Sequence, residues 1–119
     1  MHCMAVDQRV ASSQWLRGVL DLCVLAVVEQ EPAYGYEMTR RLTEAGLGIV
    51  ADGSIYPALA RLERDGQITS YRVPSDGGPP RKYYRISPAG RTALSRGRGE
   101  WAGFAEGVAA VLDLRKVKR

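Results

Sequence analysis

The densest apolar stretch of the chain lies between Leu16 and Val28. Leu16, Val19, Leu20, Leu22, Cys23, Val24, Leu25, Val27 and Val28 cover nearly the whole circumference of a helix that starts around Ser13 and ends near Glu29. A helix apolar all round has to be buried on more than one side, so this one is expected beneath the rest of the domain and against another helix. Pro32 breaks it. A second helical pattern starts around Tyr34 to Gly35 and runs to Ala45, with Met38, Leu42 and Ala45 inward. Gly46 and Gly48 end it, and Ile49 and Val50 are read as a short strand.

From Asp52 to Gly90 the pattern changes twice. Ile55, Leu59 and Leu62 recur at helical spacing, with Ser54, Pro57, Arg61 and Arg64 on the opposite side. Proline is comfortable only in a first turn, which makes Ser54 the expected N-cap and Ile55 the first helical residue. The helix runs to about Asp65, with Gly66 as its stop. ITSYRV and RKYYRIS then carry the β-branched and aromatic content of strands, and SDGGPP between them is turn chemistry. Tyr84 is expected to pack inward and Tyr83 to face out. Helices at 35–45 and 54–65 followed by a basic hairpin predict a winged helix-turn-helix, an α+β fold that is mostly α.

Ser87 and Pro88 open a last helix with a cap and a proline at the first helical position. Leu94, Trp101, Phe104, Val108 and Val111 follow steps of three and four, the pattern of a seam that meets another helix. The domain's own core is already filled, so the expected partner is the first helix of a second copy, presenting Leu16, Leu20 and Val24 in a two-fold dimer. A helix reaching Arg115 would be about 42 Å long. Gly97, Gly99, Gly103 and Gly107 each weaken its interior by about 1 kcal/mol relative to Ala. The chain thus divides into a flexible lead (1–12), a winged helix-turn-helix domain (13–87), a C-terminal dimerisation helix (88–115) and a basic tail (116–119).

A length of 119 residues suits one such domain, and the formal charge is +4. The excess concentrates in the hairpin, at Arg72, Arg81, Lys82 and Arg85, and in the terminal RKVKR. That placement points to nucleic acid more than the net value does. Two cysteines in unlike contexts make no disulfide framework, and neither a signal peptide nor a membrane-length apolar run is present. A cytoplasmic, nucleoid-associated protein is the default. The sole histidine, His2, lies in the N-terminal lead, which leaves no metal site of ordinary spacing and no placed general base. No cofactor is expected and enzymatic function is disfavoured.

YGYE at Tyr34 to Glu37, IYPAL at Ile55 to Leu59 and PPRKYYR-S-P-AG from Pro79 to Gly90 resemble the PadR family of dimeric winged helix-turn-helix repressors. The resemblance spans Leu16 to Val111, and the length fits the subfamily with a single C-terminal helix. It implies that the helix carrying Ser54, Tyr56, Pro57 and Arg61 enters the major groove by its N-terminal end. Helix amides and the Ser54 and Tyr56 hydroxyls suit phosphate oxygens, and Arg61 suits phosphate or a guanine edge. The alternative for Arg61 is an ion pair with Asp65. Tyr36 and Arg40 would add backbone contacts, and Arg81 and Lys82 would reach an adjacent groove. Some members of the family bind flat aromatic effectors beside a tryptophan of the last helix. Trp101, with Trp15 and Phe104, matches that role here, the alternative being a plain interface anchor. The functional reading is a repressor that binds a double-stranded operator as a homodimer and is released by an effector. The alternative is a winged-helix protein-interaction module.

Overall fold

The computed structural model describes residues 13–114; the lead over 1–12 and the basic tail lie outside the described residues. The first helix is split. A short α1 (Ser13–Leu16) is followed by α2 (Leu20–Gln30), with Val19 donating to the Leu16 carbonyl at the corner. Pro32 then stops the helical run, and two residues, β1 (Ala33–Tyr34), pair with the hairpin before α3 (Gly35–Leu42) begins. This is the third strand of the sheet, and the strand expected at Ile49 and Val50 is reduced to a single-residue bridge at Ile49. A π turn at Thr43–Leu47 unwinds α3, with Gly46 (φ 109°) and Gly48 (φ 86°) in the left-handed region. Ala45, expected inward, is exposed there.

The next helix, α4 (Asp52–Arg64), starts earlier than the proline suggests. Ala51 is its cap residue, and its carbonyl accepts from the Ser54 and Ile55 amides at 2.9 and 3.1 Å. Ser54 therefore sits inside the first turn and is not the N-cap. Pro57 lies in the second turn, and the carbonyl left without an amide belongs to exposed Gly53, where water can satisfy it. Gly66 (φ 74°) ends the helix. Its amide donates to the Glu63 carbonyl, and that of Gln67 donates to Leu62, at 3.1 and 2.9 Å.

Strands β2 (Ile68–Ser75) and β3 (Gly78–Ile86) form the wing, joined through Asp76 and Gly77. The sheet is antiparallel with β3 in the middle, in the order β1-β3-β2. The alternation resolves the tyrosine pair: Tyr84 faces the core with Ile68 and Ile86, while Tyr83 is half-buried on the outer face. Val24, Met38, Ile55, Leu59, Ile68 and Leu94 have fully buried side chains and tie α2, α3, α4, the sheet and the last helix into one core.

That last helix, α5 (Pro88–Val111), is capped as its sequence indicates. Ser87 Oγ accepts from the Gly90 amide at 3.0 Å and donates to the Gly66 carbonyl at 2.6 Å, so one hydroxyl joins the stop of α4 to the start of α5. A Cβ on Gly90 would lie 2.1 Å from the Gln67 carbonyl oxygen, which leaves no room for another residue. Among the residues of α5 only Gly90 and Leu94 are buried, so its later turns stand clear of the core.

Candidate nucleic-acid interface

Helix α4 buries Ile55, Ala58, Leu59 and Leu62, which leaves Gly53, Pro57, Ala60 and Arg64 along its most exposed line. Two small residues and a proline keep this face shallow. Tyr56 flanks it on the side of α3, and a Cβ on Gly35 would come within 2.6 Å of the Tyr56 hydroxyl oxygen. Gly35 thus lets the Tyr56 ring lie against the start of α3. Tyr36, one residue on, is 65% exposed, and Arg40 pairs with Glu44 at 3.0 Å along the same helix.

Arg61 falls on the other flank. Its guanidinium donates to both oxygens of Asp21 on α2, at 2.7 and 3.1 Å, and these bonds raise its pKa. The pair with Asp65 goes to Arg64 instead, at 3.0 Å. Both arginines stay charged under all ordinary conditions. Arg64, more exposed than Arg61, is the central cation of the α4 surface; the sequence placed it on this face without giving it a contact of its own. Its position on the helical wheel was the available signal.

In the wing, Arg81 and Lys82 point to opposite faces. The Arg81 guanidinium lies 4.8 Å from the centre of the Tyr34 ring on the outer face. Lys82 points inward, 3.6 Å from Glu63 of α4 and 5.5 Å from the Tyr84 ring. Glu63 also accepts from Ser70 Oγ at 2.6 Å, so it fastens α4 to the hairpin. The outer face carries more aromatic surface than expected: Tyr83 lies between Tyr34 and Tyr71 at 5.2 and 5.9 Å, and Arg85 covers Tyr71 at 4.7 Å.

The residues expected at a dimer interface separate into two groups. Leu16, Leu20 and Val24 are buried within the chain's own core and have no surface for a partner, which corrects their assignment. On α5, Trp101, Phe104, Val108 and Val111 are exposed, Phe104 to 64% and Val111 to 85%. Trp15 of α1, Leu22 and Leu25 of α2, Gly97, Trp101 and Phe104 line an open, largely apolar groove of about 940 Å³. The three aromatic residues proposed for a ligand are therefore brought together, with the Trp101 and Phe104 rings 5.9 Å apart. Gly97 sits where Leu22 crosses, since a Cβ there would lie 2.4 Å from a Leu22 methyl. Among the described residues no cluster of His, Cys, Asp or Glu is placed to hold a metal, and no helix is long and apolar enough to cross a membrane.

Helix, turn, helix and basic two-stranded wing define a winged helix-turn-helix protein. Residues 24–96 match the model of the transcriptional regulator PadR-like family, and the chain belongs to that family. Its class of function is accordingly the regulation of transcription through DNA. The chain is similar to a transcriptional regulator of Mycobacterium tuberculosis, with 35% identity over 71% of this chain and 78% of the relative. An uncharacterized protein of Lysinibacillus sphaericus is 31% identical over 86% of this chain and 92% of its own. Among solved structures, a PadR-like transcriptional regulator from Bacillus cereus superposes with a TM-score of 0.73 at 38% identity, over 84% of this chain and 97% of the other.

Proposed function

We propose that the protein is a dimeric, sequence-specific repressor that occupies a two-fold operator and is released by a planar aromatic small molecule. The observation that carries the DNA-binding part is the shallow, exposed line of Gly53, Pro57, Ala60 and Arg64 on α4, flanked by Tyr56 and Tyr36 and followed by a wing bearing Arg81. Such a face can approach base edges closely while hydroxyls and guanidinium groups take the phosphates. Ser54 and Pro57 lie near the end of α4 that would lead into the groove. Arg40, Arg61 and Lys82 each have a carboxylate partner in the free protein, and each would exchange it for phosphate on binding.

Support for the dimer comes from α5. Exposed aromatic and β-branched side chains, Trp101, Phe104, Val108 and Val111, follow one another along the helix and continue into an apolar groove, and exposed apolar patches of this kind mark interaction sites. A second copy laid against it would bury that surface and set two α4 helices about one helical turn of DNA apart. An aromatic effector lodged beside Trp15, Trp101 and Phe104 would alter the angle between the two heads. The site of action is the nucleoid, in the cytoplasm.

The test is a gel-shift titration with duplexes recovered by selection from a random pool. Wild-type protein enriches an inverted repeat, and Arg61, Arg81 and Lys82 changed together to Ala abolish the shift while the thermal melt persists. Failure to enrich any sequence, or an unchanged shift by the triple variant, contradicts the reading. A panel of planar aromatic compounds that changes neither tryptophan fluorescence nor the shift contradicts the effector.

A further inference from the structure

Tyr34 touches the helix-turn-helix and the wing at once. Its backbone heads α3, where the Tyr34 amide donates to Glu37 Oε1 at 3.2 Å and the Glu37 carboxylate thereby caps the first turn. Its backbone also pairs with Tyr83 in the middle strand of the wing. Its ring packs 5.2 Å from Tyr83 and 6.4 Å from Tyr36, the latter on the first turn of α3. The Arg81 guanidinium lies 4.8 Å from the same ring, within the distance at which a cation is held by an aromatic face.

We infer that Tyr34 is a positioning residue for DNA binding, which holds the Arg81 guanidinium of the wing in fixed relation to the helix that carries Tyr36 and Arg40. This rests on the reading of the wing as a phosphate-contacting element. An arginine has many rotamers, and ordering it at the moment of binding costs free energy. A guanidinium held against a ring has its rotamers restricted beforehand while N–H groups stay available for phosphate oxygens, and without the ring the side chain spreads over rotamers that miss the phosphate, so that the contact itself is lost. Tyr83 packs against both the Tyr34 and the Tyr71 ring, and Arg85 lies over Tyr71 in the same way four residues along the strand. Arg81 differs in that its ring belongs to the residue that starts α3, so a displacement of the wing is felt at the reading helices.

The role is separable from simple packing, because it acts through one cation and one phosphate. Binding of a random-sequence 30-base-pair duplex is measured by fluorescence anisotropy at 50 to 200 mM KCl for wild type, Tyr34→Phe, Tyr34→Leu, Arg81→Ala and the Tyr34→Leu/Arg81→Ala double variant. Tyr34→Phe, which keeps the ring, binds as wild type. Tyr34→Leu and Arg81→Ala each lower the slope of log affinity against log salt by about one unit, so affinity falls roughly three- to fourfold less across that salt range. The double variant matches Arg81→Ala alone. If Tyr34→Leu loses its cooperative melt, Tyr34→Met supplies an unbranched side chain without a ring and is held to the same outcome. A wild-type slope in Tyr34→Leu or Tyr34→Met, or slope losses that add in the double variant, overturns the inference and leaves the DNA reading standing. No binding of the duplex by wild type overturns both.

Discussion

Arg61 and Asp21, forty residues apart in the chain, meet through two hydrogen bonds that join α4 to the start of α2. Both side chains remain more than a third exposed, so the pair contributes little to stability, less than about 1 kcal/mol. Its larger effect is on charge. Asp21 cancels a cation at the edge of the α4 surface and holds it toward α2.

Asp21→Asn should therefore free Arg61 and remove a negative charge next to the α4 surface proposed to face DNA. We expect duplex affinity to rise by up to roughly fivefold, the equivalent of about 1 kcal/mol, with the melting temperature nearly unchanged. Anisotropy titration checks this. A loss of affinity would mean that the ion pair orients Arg61 for binding and does not divert it.

Two glycines of α5 should respond in opposite directions. Gly90→Ala drives a methyl against the Gln67 carbonyl, which belongs to the backbone and cannot swing away. It should destabilise by at least 1–3 kcal/mol, as overpacking does. Gly99→Ala meets nothing within 4 Å and should gain up to about 1 kcal/mol of helix propensity. Thermal melts at matched protein concentration test both, and equal shifts would contradict the local geometry.

Stability should decline in alkaline solution. Burial pushes the Cys23 thiol above its ordinary value of 9.0 and raises the Tyr84 phenol as well. Both groups are thus held neutral in the fold and release their protons more readily in the unfolded chain. The unfolded state then binds fewer protons, so stability is constant below about pH 9 and falls as pH rises through the shifted values. Melts from pH 7 to 10.5 should show this, with a weaker decline in Cys23→Ala. The same decline in Cys23→Ala would assign the effect elsewhere.

Much of this architecture was legible from short-range signals. Ser87 and Pro88 define a capped start because the hydroxyl and the missing amide act within one turn, and Gly66 marks a stop because a left-handed residue is required there. The alternation at Tyr83 and Tyr84 is likewise local. What escaped depends on distant partners. Two residues after Pro32 show no period of their own and become a strand only because Tyr83 and Tyr84 lie opposite. Asp52 and Gly53 look like loop residues, yet α4 begins there because Ala51 offers its carbonyl and exposed Gly53 tolerates the unpaired end left by Pro57. The apolar character of Leu16, Leu20 and Val24 was plain, but not that their own chain would bury them. The partners of Arg61, Lys82 and Arg81 are set by tertiary packing, so the electrostatics of the surface could be located from sequence but not balanced.

Operator binding as proposed requires two copies of α4 to reach DNA together through a pairing made by α5. Native mass spectrometry of the protein with a selected duplex counts the chains directly. The expected species is two chains on one duplex, lost when Phe104 and Val108 on α5 are both changed to Asp even though each chain remains folded. One chain per duplex, or a two-chain complex indifferent to those charges, would contradict it.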